Sequence, residues 1–198
     1  MILTANKNLA AQKKMLESIV LKNPVFKTIL DRVPDLLLPN WYLGAGCVAQ
    51  TVWNHISGYD LRSNISDVDL VYFDNNDLSF EAEAKKGRLA VEFFPDLPIP
   101  LDIKNQARVH LWYEKRFGYP IKPYLSVEEA IDSWPTTATA VAVRIDDQGS
   151  FNVYAPFGLS DLFGMIVRPN KVQITEKIYM QKVNRWRDFW SDLQVVPW

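Results

Sequence analysis

Residues 66–73, SDVDLVYF, organise the chain because they place two carboxylates on an otherwise apolar run. Side chains alternate between the faces of a strand, so Asp67 and Asp69 share one face, with Cα atoms about 6.6 Å apart. Val68 and Leu70 on the opposite face predict a buried strand. Two hard oxygen ligands on one strand suit Mg²⁺, which takes one or two carboxylates together with water and substrate phosphates. The stretch therefore predicts a metal site at a strand edge.

The aspartate pair also has a simpler explanation. At the aspartate frequency of this chain, about one Asp-x-Asp pair arises by chance. A solvated strand edge, or an Asx-type turn at Ser66 and Asp67, explains the pair equally well. The metal interpretation therefore needs support from other segments.

The composition limits the classes of protein that fit. A chain of 198 residues fits one generous domain, or a core domain with a smaller appendage. The net charge of −1 argues against attachment to nucleic acid or membrane by bulk charge, although a local basic groove for nucleic acid stays open. The single cysteine, Cys47, excludes an internal disulfide framework and a Cys-rich zinc site.

The N-terminal segment and the apolar runs bear on location. Lysines and a glutamate interrupt the first 20 residues, so they do not form a signal peptide. No apolar run approaches the ~20 residues that a spanning helix needs. We therefore expect a cytoplasmic protein with no membrane partner.

A strand, a turn of small residues and a helix precede the aspartate pair. Residues 41–43 predict a short strand, residues 44–47 (GAGC) the turn, and the following residues a helix that ends near Gly58. Such a turn lets the backbone approach a ligand, and a helix N-terminus offers free N–H groups to an anion. A tight turn without a ligand is the alternative. Cys47 near a helix start can have a lowered pKa, but we interpret it as a small packing residue, because the sequence links neither histidine to it.

A third carboxylate follows downstream. Residues 101–103 predict a short strand that carries Asp102 between apolar neighbours. The strand runs into residues 104–112, which have helical character and would place Lys104 and Arg108 on one face at i, i+4. Asp102 can then complete a metal cluster, and the two basic residues can form a phosphate clamp. An Asp N-cap before an exposed helix is the alternative.

The remaining segments predict helices and strands that pack the core and have no chemical role. Helices are expected over residues 6–21, 24–32, 78–88, 126–133 and 173–193, and the fourth of these opens with a capping box at Ser126. A hairpin is expected over residues 140–145 and 151–154. A helical turn capped by Ser160 or Asp161 is expected to follow the hairpin. The apolar stripe of the last helix is expected to be core, and its basic residues, among them Lys182 and Arg185, are expected to be spread over the remaining surface.

Taken together, these segments resemble the nucleotidyltransferase superfamily, which includes DNA polymerase beta, the head domains of CCA-adding enzymes and the aminoglycoside nucleotidyltransferases. In that superfamily a glycine-rich turn before a helix holds the triphosphate, and two or three acidic residues on the following strands bind two divalent metals. More closely, the chain looks like a family of small stand-alone bacterial nucleotidyltransferase-like proteins. The matching segments are residues 44–54, 66–74, 101–112, 135–144, 155–163 and 168–170.

The resemblance implies an α+β, nucleotidyltransferase-like fold: a small mixed sheet flanked by helices, with a helical C-terminal end. It implies a single domain over residues 1–198, with N-terminal helices to about residue 40, a metal and nucleotide core over 41–122, and a sheet extension and C-terminal helix over 123–198.

The resemblance also implies a divalent-metal-dependent transfer of a nucleotidyl group from a nucleoside triphosphate to an unknown acceptor. The implied cofactor is Mg²⁺ or Mn²⁺. The implied catalytic metal ligands are Asp67, Asp69 and Asp102, and the implied nucleotide-binding residues are Gly44, Gly46, Cys47, Lys104 and Arg108. Cys47 stands where the superfamily usually has serine or glycine, so a catalytically inactive nucleotide-binding or regulatory module on the same fold is the alternative. A third possibility is that the aspartates are merely solvated or capping residues.

Overall fold

The computed structural model of the chain describes residues 2–198. Its main sheet has five strands in the order β3-β2-β1-β4-β5. Strands β2 and β3 pair in parallel, and the other neighbours are antiparallel, so the sheet is mixed. A separate parallel pair joins β6 to β7. The strands are β1 (Tyr42–Gly44), β2 (Val68–Tyr72), β3 (Leu101–Asn105), β4 (Ala142–Ile145), β5 (Phe151–Tyr154), β6 (Ile166–Val167) and β7 (Gln194–Val195).

Helices flank this sheet, which gives the expected α+β architecture. They are α1 (Ile2–Ala5), α2 (Leu9–Lys22), α3 (Pro24–Arg32), α4 (Gly46–Ser57), α5 (Phe80–Phe93), α6 (Val109–Phe117), α7 (Val127–Asp132), α8 (Ser160–Phe163) and α9 (Glu176–Arg187), with 3₁₀ turns at Val33–Leu36 and Gln106–Arg108. Met1, the first residue of the expected N-terminal unit, lies outside the described residues. No helix of residues 2–198 is long and apolar enough to cross a membrane.

Asparagine caps define the N-terminal helices. The Asn8 side chain accepts a hydrogen bond from the Ala11 amide, so α2 begins at Leu9, three residues later than the sequence pattern predicts. Asn23 caps α3 in the same way, and the predicted helix over residues 24–32 is confirmed. The Asn23 amide also donates to Thr51 of α4, which ties α3 to α4.

The alternating pattern of β2 separates the two faces of the sheet. Val68, Leu70 and Tyr72 are buried in the main core with residues of α2, α3, α4 and α9. On the opposite face Val71 packs in a smaller cluster with Val127 of α7. Because side chains alternate along a strand, Asp67 and Asp69 fall on the same face as Val71, away from the main core.

Tryptophans fix α9 against α4. The Trp53 ring meets the rings of Trp186 and Trp190 edge to face, with ring centroids 5.5 Å apart in each pair. The Trp190 indole N–H donates to the Asn54 side chain over 3.0 Å. The predicted core stripe of the last helix is confirmed, although α9 is shorter than expected, because Thr175 caps its start and the helix ends before Trp190.

The segment after β3 differs from the prediction. Lys104 and Asn105 continue β3 and pair with β2, so the helix begins only at Val109, after a 3₁₀ turn. Asn105 explains the difference. Its side-chain nitrogen donates to the Asp74 carbonyl, and its side-chain oxygen accepts from the Ala107 backbone amide. These bonds hold Asn105 extended and end the strand with an Asx turn.

The cap predicted for α8 is wrong. Neither Ser160 nor Asp161 caps this helical turn, and Leu159 occupies the cap position without a side-chain hydrogen bond. The Ser160 hydroxyl accepts instead from Gln12 over 3.2 Å, and the Asp161 carboxylate accepts from Thr137 and Arg168. Both side chains are therefore used in contacts between elements distant in sequence.

The turn and cap residues in the second half of the chain lie where the sequence predicts them. The predicted hairpin of β4 and β5 is confirmed, and its turn is closed by Asp146, whose carboxylate accepts from the Gln148 and Ser150 amides. Ser126 caps α7 as predicted, since its hydroxyl accepts from the Glu129 amide. The other half of the predicted capping box differs, because the Glu129 carboxylate accepts from the Leu125 amide, one residue before the cap.

Candidate metal centre

Three aspartates converge on the face of the sheet opposite the main core. Asp69 of β2 lies in register with Asp102 of β3 on one side and with Gly44 of β1 on the other. Asp67 lies two residues before Asp69 and so points to the same face. One carboxylate oxygen from each of the three side chains lies within 4.8 Å of the others. The parallel pairing of β2 with β3 therefore brings Asp102 to the pair that the sequence had singled out.

The electrostatics of this acidic group favour a bound cation. The pKa of Asp69 is raised to about 7, first by burial and then by the charges of Asp67 and Asp102. Lys182 and Lys104 act in the opposite direction. Like charges held this close destabilise one another, and a divalent ion would neutralise them. Three hard carboxylate ligands fit Mg²⁺ or Mn²⁺.

Lys104 belongs to the same site. It lies two residues after Asp102 on β3, and its amino group is 2.6 Å from the Asp102 carboxylate. Both side chains are partly exposed, so the pair adds little stability by itself. A partly exposed lysine in such a pair is free to exchange the Asp102 carboxylate for another anion.

Arg108 is placed differently. Its guanidinium is buried, donates to the Glu83 carboxylate over 2.5 Å and donates to the Leu78 carbonyl over 2.8 Å. Because Lys104 lies in a strand and Arg108 in a 3₁₀ turn, the two do not share a helix face, so the helical spacing on which the predicted clamp rested is wrong. The charge of Arg108 is therefore paired within the protein, and the geometry does not support Arg108 as a phosphate ligand.

The turn after β1 lies beside the acidic group and opens α4. Ala45 has φ 62°, a backbone conformation that is unusual for a residue with a side chain, and its own side chain provides no hydrogen bond to cap the helix. Strained residues of this kind cost about 1–3 kcal/mol each. The first amides of α4, those of Gly46 and Cys47, are therefore left for an anion.

Gly44 is required by packing. A Cβ atom at this position would lie 2.8 Å from Cβ of Ala142, 2.9 Å from Cη2 of Trp134 and 2.9 Å from the Val141 carbonyl oxygen. The missing side chain thus allows β1 to pack against β4 and the loop after α7. At Gly46 the nearest such atom is the Gln50 amide nitrogen at 3.7 Å, so this position is open.

The Cys47 thiol is buried and donates to the Gly44 carbonyl over 3.0 Å. Burial raises the pKa of the thiol well above its ordinary value, and the Asp69 charge raises it further. The thiol is therefore neutral at physiological pH, as expected for a packing residue. Any contact of Cys47 with a phosphate has to come from its backbone amide.

Lys182 of α9 is a candidate site residue that the sequence did not single out. Its side chain is partly buried, and the charges of Asp67 and Asp69 act on it. Burial, followed by the charge of Arg185, lowers the pKa of Lys182, and the two aspartates oppose this. The only local signal is the position of Lys182 beside Val183, at the border of the core stripe.

The chain thus has a mixed sheet with a carboxylate cluster beside an uncapped helix N-terminus, which is the arrangement that the resemblance to the nucleotidyltransferases implies. A model of a nucleotidyltransferase family matches residues 31–195, and the chain belongs to this family.

Two solved structures are similar to the chain. One, described as an NMR structure that reveals a CCA-adding enzyme head domain, has a TM-score of 0.78 and 26% sequence identity, and the match covers 98% of this chain and 97% of that one. The other, a tRNA-processing enzyme in its apo form 2, has a TM-score of 0.45 and 15% identity, covering 85% of this chain and 44% of that one. No curated protein sequence matches the chain.

Proposed function

We propose that this protein transfers a nucleotidyl group from a nucleoside triphosphate to an acceptor hydroxyl, with Mg²⁺ or Mn²⁺ as cofactor. The observation that carries the proposal is the convergence of Asp67, Asp69 and Asp102. One carboxylate oxygen from each lies within 4.8 Å of the others, at the paired strands β2 and β3, and β2 lies beside β1 and the turn that opens α4. Carboxylates and helix amides side by side match a metal-bound phosphate chain, which needs both cation ligands and hydrogen-bond donors.

The acidic residues divide two roles between them in this proposal. Asp67 and Asp69 would hold the ion that binds the triphosphate, and Asp102 would help hold a second ion and orient the acceptor. Divalent ions bound here would neutralise the charge on the attacking and leaving oxygens. The acceptor oxygen bonds to the α-phosphorus, the bond to the pyrophosphate oxygen breaks, and Asp102 receives the acceptor proton.

Donors for the phosphates lie beside the acidic group. In this proposal the amides of Gly46 and Cys47 at the start of α4 bind phosphate oxygens. Lys104, which contacts Asp102, is placed to neutralise charge that develops on the leaving group. We leave Arg108 out of this set because its guanidinium is held by Glu83.

A pyrophosphate-release assay tests transfer directly. The purified protein is incubated with Mg²⁺, each nucleoside triphosphate and pooled acceptors, with small metabolites and RNA in separate pools. We expect release in at least one pool and its loss in the Asp67→Ala, Asp69→Ala double variant. Asp96→Ala, which changes an exposed loop aspartate, serves as the matched control. Full release by the double variant would contradict the assignment.

A nucleotide-binding module without transferase activity is the second candidate. The Cys47 thiol favours it, because a side chain that is buried and bound to Gly44 offers no hydroxyl to a phosphate. This candidate predicts metal-dependent nucleotide binding with no pyrophosphate release in any pool. Release that requires Asp67 and Asp69 would exclude it.

A further inference from the structure

A cavity of about 670 Å³ lies where α7 meets the loops after α6, after β5 and before α9. The loop after α6 contributes Tyr119 and Tyr124, and the loop after β5 contributes Phe157. Helix α7 contributes the carboxylates of Glu129 and Asp132. Sites for small molecules usually have volumes of about 300–1,000 Å³, mostly apolar walls and a few polar groups. This cavity has both the size and the composition of such a site.

The cavity is separate from the candidate metal centre. Asp69, Gly44, Ala142 and Tyr154 lie in one row across the sheet, each in register with the next. Because neighbouring strands lie about 4.8 Å apart, the Cα atoms of Asp69 and Tyr154 are about 14 Å apart. The Tyr154 hydroxyl donates to Asp132 in the cavity wall over 2.7 Å. No member of the acidic group lines the cavity, so a ligand bound here would not contact the metal ligands.

Hydrogen bonds hold the tyrosine side chains of the wall in place. The Tyr119 hydroxyl donates to the Gln173 backbone carbonyl over 2.6 Å, and the Tyr124 hydroxyl donates to the Gln173 side-chain oxygen over 2.7 Å. The Tyr124 hydroxyl also lies 2.8 Å from the Ser133 hydroxyl. Because both phenol hydroxyls already have partners, these residues offer a ligand mainly their rings. Aromatic rings attract cations, and side chains that are already held lose little entropy when a ligand binds.

The charged groups of the wall are two carboxylates and one ammonium group. Glu129 and Asp132 are three residues apart in α7 and therefore share one face of the helix. Asp132 accepts from Tyr154 and Glu129 accepts from the Leu125 amide, each through one oxygen. The second oxygen of each carboxylate accepts no hydrogen bond within the described part of the chain. The ammonium group is that of Lys122, which is exposed. The wall is therefore negative on balance and has free acceptors for a cationic donor.

We propose that this cavity binds a small organic cation, a protonated amine on an apolar or aromatic body. Glu129 and Asp132 would hold the ammonium group, and the aromatic rings of the wall would contact the body. Binding of this kind does not depend on the proposed function. The competing explanations are an anionic ligand held by Lys122 and an uncharged ligand held by the apolar wall alone.

Three probes of nearly the same shape separate these explanations: 2-phenylethylammonium, 2-phenylethanol and phenylacetate. Each probe is titrated into the ¹⁵N-labelled full chain in EDTA at about pH 7.5. The shifts of the backbone amide resonances in NMR spectra give the affinity and the place of binding. The same spectra show whether each variant is folded.

Conservative variants remove one charge at a time. Glu129→Gln and Asp132→Asn each keep an oxygen that can accept the existing hydrogen bond. Glu128→Gln is the matched control, because Glu128 neighbours Glu129 on α7 but accepts from the Tyr42 hydroxyl and does not line the cavity.

We expect the ammonium probe to bind about tenfold more tightly than the alcohol, and phenylacetate to bind more weakly than the alcohol. The shifts should be largest at residues 119–124 and 172–173. Glu129→Gln and Asp132→Asn should each weaken binding of the ammonium probe about 3- to 10-fold and leave binding of the alcohol unchanged. Glu128→Gln should match the wild type within about twofold.

Alcohol or phenylacetate binding as tight as that of the ammonium probe would overturn the inference, and so would the absence of saturable binding of the ammonium probe. Wild-type affinity for the ammonium probe in both Glu129→Gln and Asp132→Asn would overturn it as well.

An organic cation could instead bind at the acidic group, so the Asp67→Ala, Asp69→Ala double variant is titrated too. Wild-type affinity for the ammonium probe in this variant would support the inference. Loss of binding would overturn the inference and leave the proposed function standing.

Discussion

Replacing Asp69 with asparagine should make the metal-free protein more stable while it abolishes metal binding. The pKa of Asp69 is raised from the ordinary 3.8 to about 7. The folded protein therefore holds the proton more tightly than the unfolded chain, and its stability falls as pH rises from about 4 to above 7. Asparagine has nearly the same shape without the charge, so Asp69→Asn removes this loss.

The size of the effect follows from the pKa. Each tenfold change in a protonation equilibrium is worth about 1.4 kcal/mol, so the charged Asp69 costs at most about 4 kcal/mol above pH 7. Asp69 is only partly buried, and solvent lowers this to about 2–4 kcal/mol. For a domain of this size, that free energy raises Tm by about 4–16 °C.

Thermal unfolding measures both parts of this prediction. In EDTA at about pH 8, Asp69→Asn should melt above the wild type, and at about pH 4 the difference should nearly vanish because the wild-type carboxyl is then protonated. Saturating Mg²⁺ or Mn²⁺ should raise the Tm of the wild type, because a ligand of the native state stabilises it, and should not raise that of the variant.

An exposed aspartate provides the control for Asp69→Asn. Asp96→Asn should unfold like the wild type at both pH values and should keep its response to metal. The reasoning would be refuted if Asp69→Asn melted below the wild type in EDTA at about pH 8. A variant that gained as much stability from metal as the wild type would refute the assignment of Asp69 as a ligand.

Three further predictions concern residues near the site. Arg108→Ala should lower the free energy of unfolding by about 3–5 kcal/mol, because it leaves the largely buried Glu83 carboxylate without its cation and with only the Asn105 amide as a donor. The nucleotide affinity of the folded fraction should be unchanged. Gly44→Ala should lower the free energy of unfolding, measured by chemical denaturation, by about 1–3 kcal/mol, because the new Cβ would meet atoms at 2.8–2.9 Å. Gly46→Ala should lower it by less than about 1 kcal/mol, because no atom lies nearer than 3.7 Å to the new Cβ. Alkylation of Cys47 by iodoacetamide at about pH 7.5 should be slow until the protein unfolds, because the buried thiol stays protonated, and fast native-state alkylation would contradict its placement.

Local patterns predicted much of the fold. The alternation around Asp67 and Asp69, the small residues at 44–47 and the capping box at Ser126 each act over a few residues, and each corresponds to an element of the structure. Helix ends were predicted less well, because they depend on single side chains such as Asn8, whose hydrogen bond moves the start of α2.

The site required information that no local pattern contains. Asp102 joins Asp69 only because β2 and β3 pair in parallel in one register, and the residues alone did not specify that register. The sequence suggested a clamp at Arg108 from helical spacing, but Asn105 extends the strand and Glu83, 25 residues away, takes the charge. The position of Lys182 depends on the packing of Trp186 against Trp53, which is equally non-local.

The central claim is that Asp67 and Asp69 bind a divalent ion that holds a nucleoside triphosphate. The most direct measurement is a titration of the protein with each triphosphate, with and without Mg²⁺ or Mn²⁺, beside the Asp67→Ala, Asp69→Ala double variant. The account predicts binding that requires the metal and is lost in the double variant. Binding of equal strength in the double variant, or no binding of any triphosphate by the wild type, would contradict it.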